Sequence, residues 1–314
     1  MRHDAALLTT AFAQTLRMAV PYACAALGGV WSERSGVVNI ALEGILLAGA
    51  LAGVAAHAAT GSAWTGVAAG ALVGAGIGAV HAGLVERGRV DAIVSGLALN
   101  LMAAGGTRFL LRGLYGSSSN SPAVAGFHAF GGAGAGALLA RTLADPLAVA
   151  ATALVCWTVW AMRRTRFGLR VRACGEDPAS ARMAGVDVAR VRTAAVSLGG
   201  AIAGLGGVAL AYDQHQFQSG MSAGRGYIAL AAVILSGWRP ARAVAACVAF
   251  AALDAAQMLA QDQARAGIYV VQSLPYVATL TALWAIGRGR GTRAAGRSGA
   301  LLGRAPAGLG KPAD

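Results

Sequence analysis

Apolar residues run along this chain in blocks of about twenty, separated by short polar or basic stretches. A helix that crosses a bilayer needs about 20 consecutive, mostly apolar residues. By hydropathy nine blocks are candidate spans: 11–30, 40–57, 62–85, 92–111, 145–162, 193–212, 224–238, 241–260 and 268–287. Two regions leave the number of spans at about eight to ten. Residues 31–39, WSERSGVVN, are polar yet joined tightly to apolar neighbours. Residues 126–140 are rich in Gly and Ala and suit a re-entrant piece, because non-helical backbone is tolerated at membrane depth only where it is buried in protein or faces water. The pattern predicts an all-α, polytopic transmembrane helix bundle over residues 1–287. Residues 288–314 lack apolar periodicity and are expected to form a basic, disordered tail. Arg17 and Pro21 interrupt the first block, which does not read as a signal peptide.

Composition agrees with a lipid-facing surface. The 314 residues are 56% hydrophobic and 12% charged, about half the charged fraction of a soluble domain. The 45 glycines suit close helix approach in a bilayer. In the third block Gly66, Gly70, Gly74 and Gly78 recur at intervals of four and share one helix face, fit either for packing within the bundle or for a seam between subunits. The four cysteines are scattered and imply neither a disulfide framework nor a zinc site.

A net charge of +13 is compatible with nucleic acid or with acidic lipid, and its placement decides for the membrane. Segment 163–192 and the tail beyond 287 hold fourteen of the 26 Lys and Arg residues. Positively charged loops stay cytoplasmic, which puts both regions inside. Four blocks lie between them, an even number, so the two assignments agree. Nine spans put the N-terminus outside, and one more would reverse that.

The chemistry-bearing candidates are few. No GxxxxGK[ST] is present to bind ATP, and no HExxH or GxSxG supports an enzyme. In the cytoplasmic stretch RACGEDPASARMAGVD, residues 172–187, Asp177 is a good N-cap, Pro178 fits the first helical position and Gly185 supplies a left-handed stop. The helix between them has about two turns and must be held by something else. It reads either as a knob for a socket on another protein or as a connecting turn. Asn39 and Glu43 share a helix face, lining either a translocation path or a polar cluster at an irregular helix start. Asn100, near mid-span, suits hydrogen bonding to a polar solute, and Phe217 and Tyr227 are candidates to stack on a base. Each is also readable as ordinary contact between helices. His57 and His81 are lone histidines near span ends.

Three stretches carry a resemblance. Residues 172–187 are similar to the GENPxAAxxAGI loop of permeases in the branched-chain amino acid and ribose type of ABC importer. Residues 28–50, GGVWSERSGVVNIALEGILLAGA, and 224–240, GRGYIALAAVILSGWRP, resemble the nucleoside-importer branch. Asp177 replaces the commoner Asn, Ser180 a usual Ala, and Ala41 a common Gly. The resemblance implies that Gly175, Glu176, Asp177, Pro178, Ala179, Ala181, Ala184 and Gly185 form a coupling helix docked on a separate ATPase. It also implies that ATP and Mg bind that partner and no cofactor binds this chain. The further partners implied are a second related permease chain and an extracytoplasmic solute-binding protein, with no nucleic acid. The expected function is import of a nucleoside, or otherwise of a simple sugar or branched-chain amino acid, by alternating access in the cytoplasmic membrane. A secondary transporter is the rival of a different class, though it would favour ion-coupling carboxylates and an internal repeat.

Overall fold

The computed structural model describes residues 2–127, 140, 142–261, 281 and 305–310. Among them the helices are α1 (Arg2–Arg34), α2 (Leu42–Thr60), α3 (Ala63–Glu86), α4 (Ala92–Tyr115), α5 (Pro146–Arg164), α6 (Arg166–Glu176), α7 (Pro178–Met183), α8 (Val188–Asp213), α9 (Arg225–Leu235) and α10 (Pro240–Gln261). The described residues form no strand; one isolated antiparallel bridge joins Asn120 and Gln218. The predicted span 268–287, nearly all of the predicted re-entrant piece 126–140, and the tail apart from 305–310 lie outside the described residues.

Helices α2, α3, α4, α5, α8 and α10 are long and apolar enough to cross a membrane. Exposed Leu72 and Val80 on α3, and Leu97, Leu101 and Phe109 on α4, give them lipid-compatible outer faces. Two predicted spans look different in the structure. α1 is long enough at 33 residues, but Gln14, Arg17, Pro21 and Tyr22 dilute its apolar stretch. It packs against α8 and α10, so it needs no lipid-facing side over most of its length. The predicted span 224–238 is the 11-residue α9, about 16 Å long against a hydrocarbon core of about 30 Å. Left-handed residues stop it at both ends: Ala223 (φ 45°) and Gly224 (φ 83°) before it, Gly237 (φ 64°) and Trp238 (φ 58°) after it.

α8 is the central pillar, packed against α1, α2 and α3. The contact is backbone on backbone. A Cβ added to Gly74 would overlap the carbonyl of Gly200, and one added to Gly200 would overlap the carbonyl of Gly74. Gly204 lies in the same way against Gly70, and Gly199 against Gly28 of α1. Gly66 meets Tyr212 and Gly53, and Gly78 meets Val196, so the glycine row of α3 is a seam inside this bundle. Gly76, off the seam, has open space around it.

Between α1 and α2 the chain leaves helical geometry at Gly36 (φ 102°), where a side chain would also collide with the Arg192 guanidinium. Arg192 is 0% exposed and pairs with Glu86, 1% exposed, at 2.8 Å. Its Nε donates to the Ser35 carbonyl (2.9 Å) and Nη2 to the Cys174 carbonyl (3.4 Å). One side chain of α8 thus ties together α3, the α1–α2 linker and α6. His81 adds a second tie, with Nε2 2.9 Å from the Val38 carbonyl and Nδ1 2.9 Å from the Ser95 hydroxyl.

Two outcomes are expected. Gly74→Ala should lower the melting temperature of the purified protein, because overpacking costs about 1–3 kcal/mol and backbone cannot move aside, while Gly76→Ala on the same helix leaves it unchanged or raised. Arg192→Leu should cost about 3–5 kcal/mol by stranding Glu86, and the double variant Arg192→Leu/Glu86→Leu should recover part of that in the same melting assay.

Candidate functional site

A cluster of polar side chains forms where the α1–α2 linker meets the start of α9. The chain between α8 and α9 folds back into the bundle without helical structure, and its backbone finds partners in segment 119–124. Ser121 N donates to the Phe217 carbonyl (2.9 Å) and Val124 N to the His215 carbonyl (2.8 Å). This segment delivers the N-terminus of α9 to α2. There the Glu43 carboxylate accepts from Gly224 N (2.8 Å) and Gly226 N (2.7 Å). It thereby caps a helix on another element and meets otherwise unpaired first-turn donors. A Cβ on Gly226 would strike the Glu43 backbone, so glycine is what lets the two helix starts meet.

Asn100 of α4 closes the cluster. Its Oδ1 accepts from Gly44 N (2.8 Å), and its Nδ2 donates to the Ile40 carbonyl (2.9 Å) and to the Tyr227 hydroxyl (3.0 Å). Both amide donors are therefore used within the protein. Tyr227 accepts from Asn100, keeps its own O–H to donate, and is 44% exposed. Of the predicted path residues, Glu43, Asn100 and Tyr227 come together. Asn39 is fully buried just before them: its Nδ2 donates to Ser32 Oγ (3.0 Å) and its Oδ1 accepts from Ala41 N (3.1 Å), which holds the linker in shape. Phe217 is 0% exposed and packs with Leu111, Val124 and Tyr212, apart from the cluster.

A second candidate surface lies where α6 and α7 meet. The Asp177 carboxylate accepts from Ala179 N (3.1 Å) and Ser180 N (3.2 Å), capping α7. Gly185, at φ 80°, ends the turn, with its N–H on the Arg182 carbonyl (2.8 Å). Ala181 is buried with Cys174 and Val188, which pins the helix to the bundle. Burial pushes the Cys174 thiol above its ordinary range, as suits a packing residue. Gly175 is buried against the Arg34 carbonyl, and Pro178 is half-buried. Glu176, Asp177, Ala179, Ala184 and Gly185 are exposed. So is Met183, at 84%, an apolar side chain with no helical periodicity in so short a segment to single it out from sequence. The Arg192–Glu86 pair also escaped the sequence reading, because Arg192 is one of many arginines in a basic run and Glu86 ends an apolar block.

Residues 305–310 dock beside this surface. Gly308 N donates to the Gly175 carbonyl (2.8 Å), Gly310 N to the Gly36 carbonyl (2.9 Å), and Pro306 is buried. This part of the predicted disordered tail is thus held by backbone hydrogen bonds.

The chain matches the model of the family described as branched-chain amino acid transport system, permease component, over residues 11–280. It is 31% identical to the guanosine ABC transporter permease protein NupQ of Bacillus subtilis, over 90% of this chain and 93% of that one. It is 32% identical to a putative glucose ABC transporter permease protein of Haloferax volcanii, over 79% and 77% respectively. It is also 32% identical to the nucleoside ABC transporter permease protein NupC of Lactococcus lactis, over 76% and 78%. No solved structure matches the chain. A family match across most of the chain, on a helical bundle with six membrane-length apolar helices, means that the protein belongs to this family and is a multi-pass membrane permease of an ABC transporter.

Proposed function

We propose that this permease imports nucleosides, passing them by the cluster of Glu43, Asn100 and Tyr227 through alternating access. The observation that carries the reading is the Glu43 cap on α9. It makes a half-length helix a separate piece whose start sits inside the bundle, the arrangement used to build solute sites from helix ends. Tyr227 offers the solute a ring face and a free O–H. Asn100 positions that tyrosine.

The basic end, with α6 and α7, faces the cytoplasm under the positive-inside rule. There α7 docks on an ATPase subunit that carries ATP and Mg²⁺. A push on α7 reaches Gly175 and Cys174, then Arg192 and Ser35, then the linker that leads into α2 and Glu43. A solute-binding protein delivers cargo at the opposite end, and a second related permease chain completes the channel. The names of the Bacillus and Lactococcus relatives support a nucleoside. The Haloferax relative supports a sugar as the second reading.

Uptake of labelled guanosine by cells expressing the whole system tests the cargo. Unlabelled nucleosides should compete, whereas glucose, ribose and leucine should not. Competition by glucose alone would overturn the nucleoside reading in favour of the sugar. Tyr227→Ala should raise the KM for uptake about tenfold or more, the size of a lost stacking contact, with folding intact.

The docking surface is tested separately. Met183→Glu should abolish co-purification of the ATPase subunit without lowering the melting temperature, since the side chain touches solvent. Ala181→Arg, by contrast, should destabilise the α6–α7 loop itself. Retained co-purification and transport in Met183→Glu would remove α7 from the interface.

A further inference from the structure

A cavity of about 500 Å³ opens at the basic end, between the C-termini of α1 and α5, the middle of α6 and the N-terminus of α10. Five arginines line it: Arg34, Arg163, Arg172, Arg239 and Arg242. Among the described residues two carboxylates are bonded at this corner, fewer than the five arginines. Glu176 accepts from Arg34 at 3.5 Å, and Glu33 is taken up by the indole N–H of Trp238. Burial holds the Arg34 guanidinium below its ordinary range; the Glu176 charge opposes that, and the charges of Arg172 and Arg239 add to it. The Arg172 Nε is buried and makes no hydrogen bond. The first turn of α10 adds the positive end of a 22-residue helix. The rest of the lining includes apolar side chains, Val30 of α1 and Val159 and Met162 of α5.

Like charges gathered around one concavity, with a buried donor unused, call for a multivalent anion. Guanidinium forks match phosphate oxygens in pairs. The apolar wall is continuous with α5, a membrane-length helix with Trp157 and Trp160 exposed, and fits a ligand whose phosphate is attached to an acyl chain. An acidic peptide would leave that wall unused. We propose that this cavity binds a phosphate group, carried by an anionic phospholipid of the cytoplasmic leaflet. A basic pocket between helices at the membrane surface is the physical form such sites take. The assignment stands apart from the identity of the transported solute.

The test uses the delipidated full chain in detergent, with bound lipid read by native mass spectrometry and stability by thermal melting. Wild type should retain phosphatidylglycerol in preference to phosphatidylcholine and be stabilised by it. Arg163→Gln/Arg172→Gln should lose about tenfold to thirtyfold of that preference, as expected when two cationic contacts are removed. Arg164→Gln/Arg170→Gln removes the same charge from exposed positions outside the cavity and should keep the preference. Should the first double variant fail to fold, Arg163→Gln alone, at an exposed side chain, should still weaken it about fivefold.

Inorganic phosphate at millimolar concentration separates the two sources. Displacement of the lipid together with stabilisation by phosphate alone identifies a soluble phosphate, and retention of lipid against phosphate identifies the headgroup. Equal losses in both double variants, or none in the first, would overturn the site. Loss of ATPase co-purification with lipid preference intact would overturn it in favour of an acidic protein surface.

Discussion

The carbonyls of Gly74 and Gly200 lie against each other's Cα atoms, and the same approach recurs at Gly70 with Gly204 and at Gly28 with Gly199. In hydrocarbon no hydrophobic force gathers helices, because lipid is as apolar as leucine. Close backbone contact supplies dispersion and weak Cα–H···O attraction instead. This contact places α8 between α1, α2 and α3, and much of the rest follows from it. With α8 in place, Arg192 reaches Glu86 and the Ser35 carbonyl. With those bonds made, the α1–α2 linker holds its irregular course and presents Glu43 to α9.

The structure divides its polar groups by purpose. Charges at the seam between the linker, α3 and α6 are paired internally, as with Arg192 and Glu86, and so hold shape. Arginines around the cavity, Arg163 and Arg172 among them, outnumber the carboxylates bonded there among the described residues, which is why an anion is proposed to bind. Between these lies the Glu43 cap, where a carboxylate holds a helix end through backbone donors. This helix is capped at its start by one side chain, has left-handed residues at both ends, and packs on the bundle through Gly226, Ala229, Ala232 and Val233.

The helical nature of the chain and the bounds of α2, α3, α4, α5, α8 and α10 were legible in the sequence because hydrocarbon imposes length and apolarity together. The capped helix α7 was legible because Asp177, Pro178 and Gly185 act locally. The truncation of α9 was not: residues 224–238 are as apolar as a true span, and the stop comes from backbone angles at Gly224 and Gly237. Asn100 could be picked out as polar, but the saturation of its amide by Ile40 and Tyr227 depends on residues 60 and 127 positions away. Phe217 had the right chemistry for stacking, yet the pairing of 119–124 with 215–219 turns it inward. Arg192 carried no signal, since charge counts do not distinguish a solvated arginine from one sealed against Glu86.

The docked segment 305–310 has a practical consequence for anyone handling the protein. Gly308 and Gly310 are bonded to Gly175, at the end of α6 beside α7, and to Gly36 in the α1–α2 linker. Gly308 lies beside Pro178, the first residue of α7, so a bulky group joined to this segment starts close to α7. A bulky label there would crowd the surface through which an ATPase is proposed to act. A reporter placed near the N-terminus of α1 would leave that corner free.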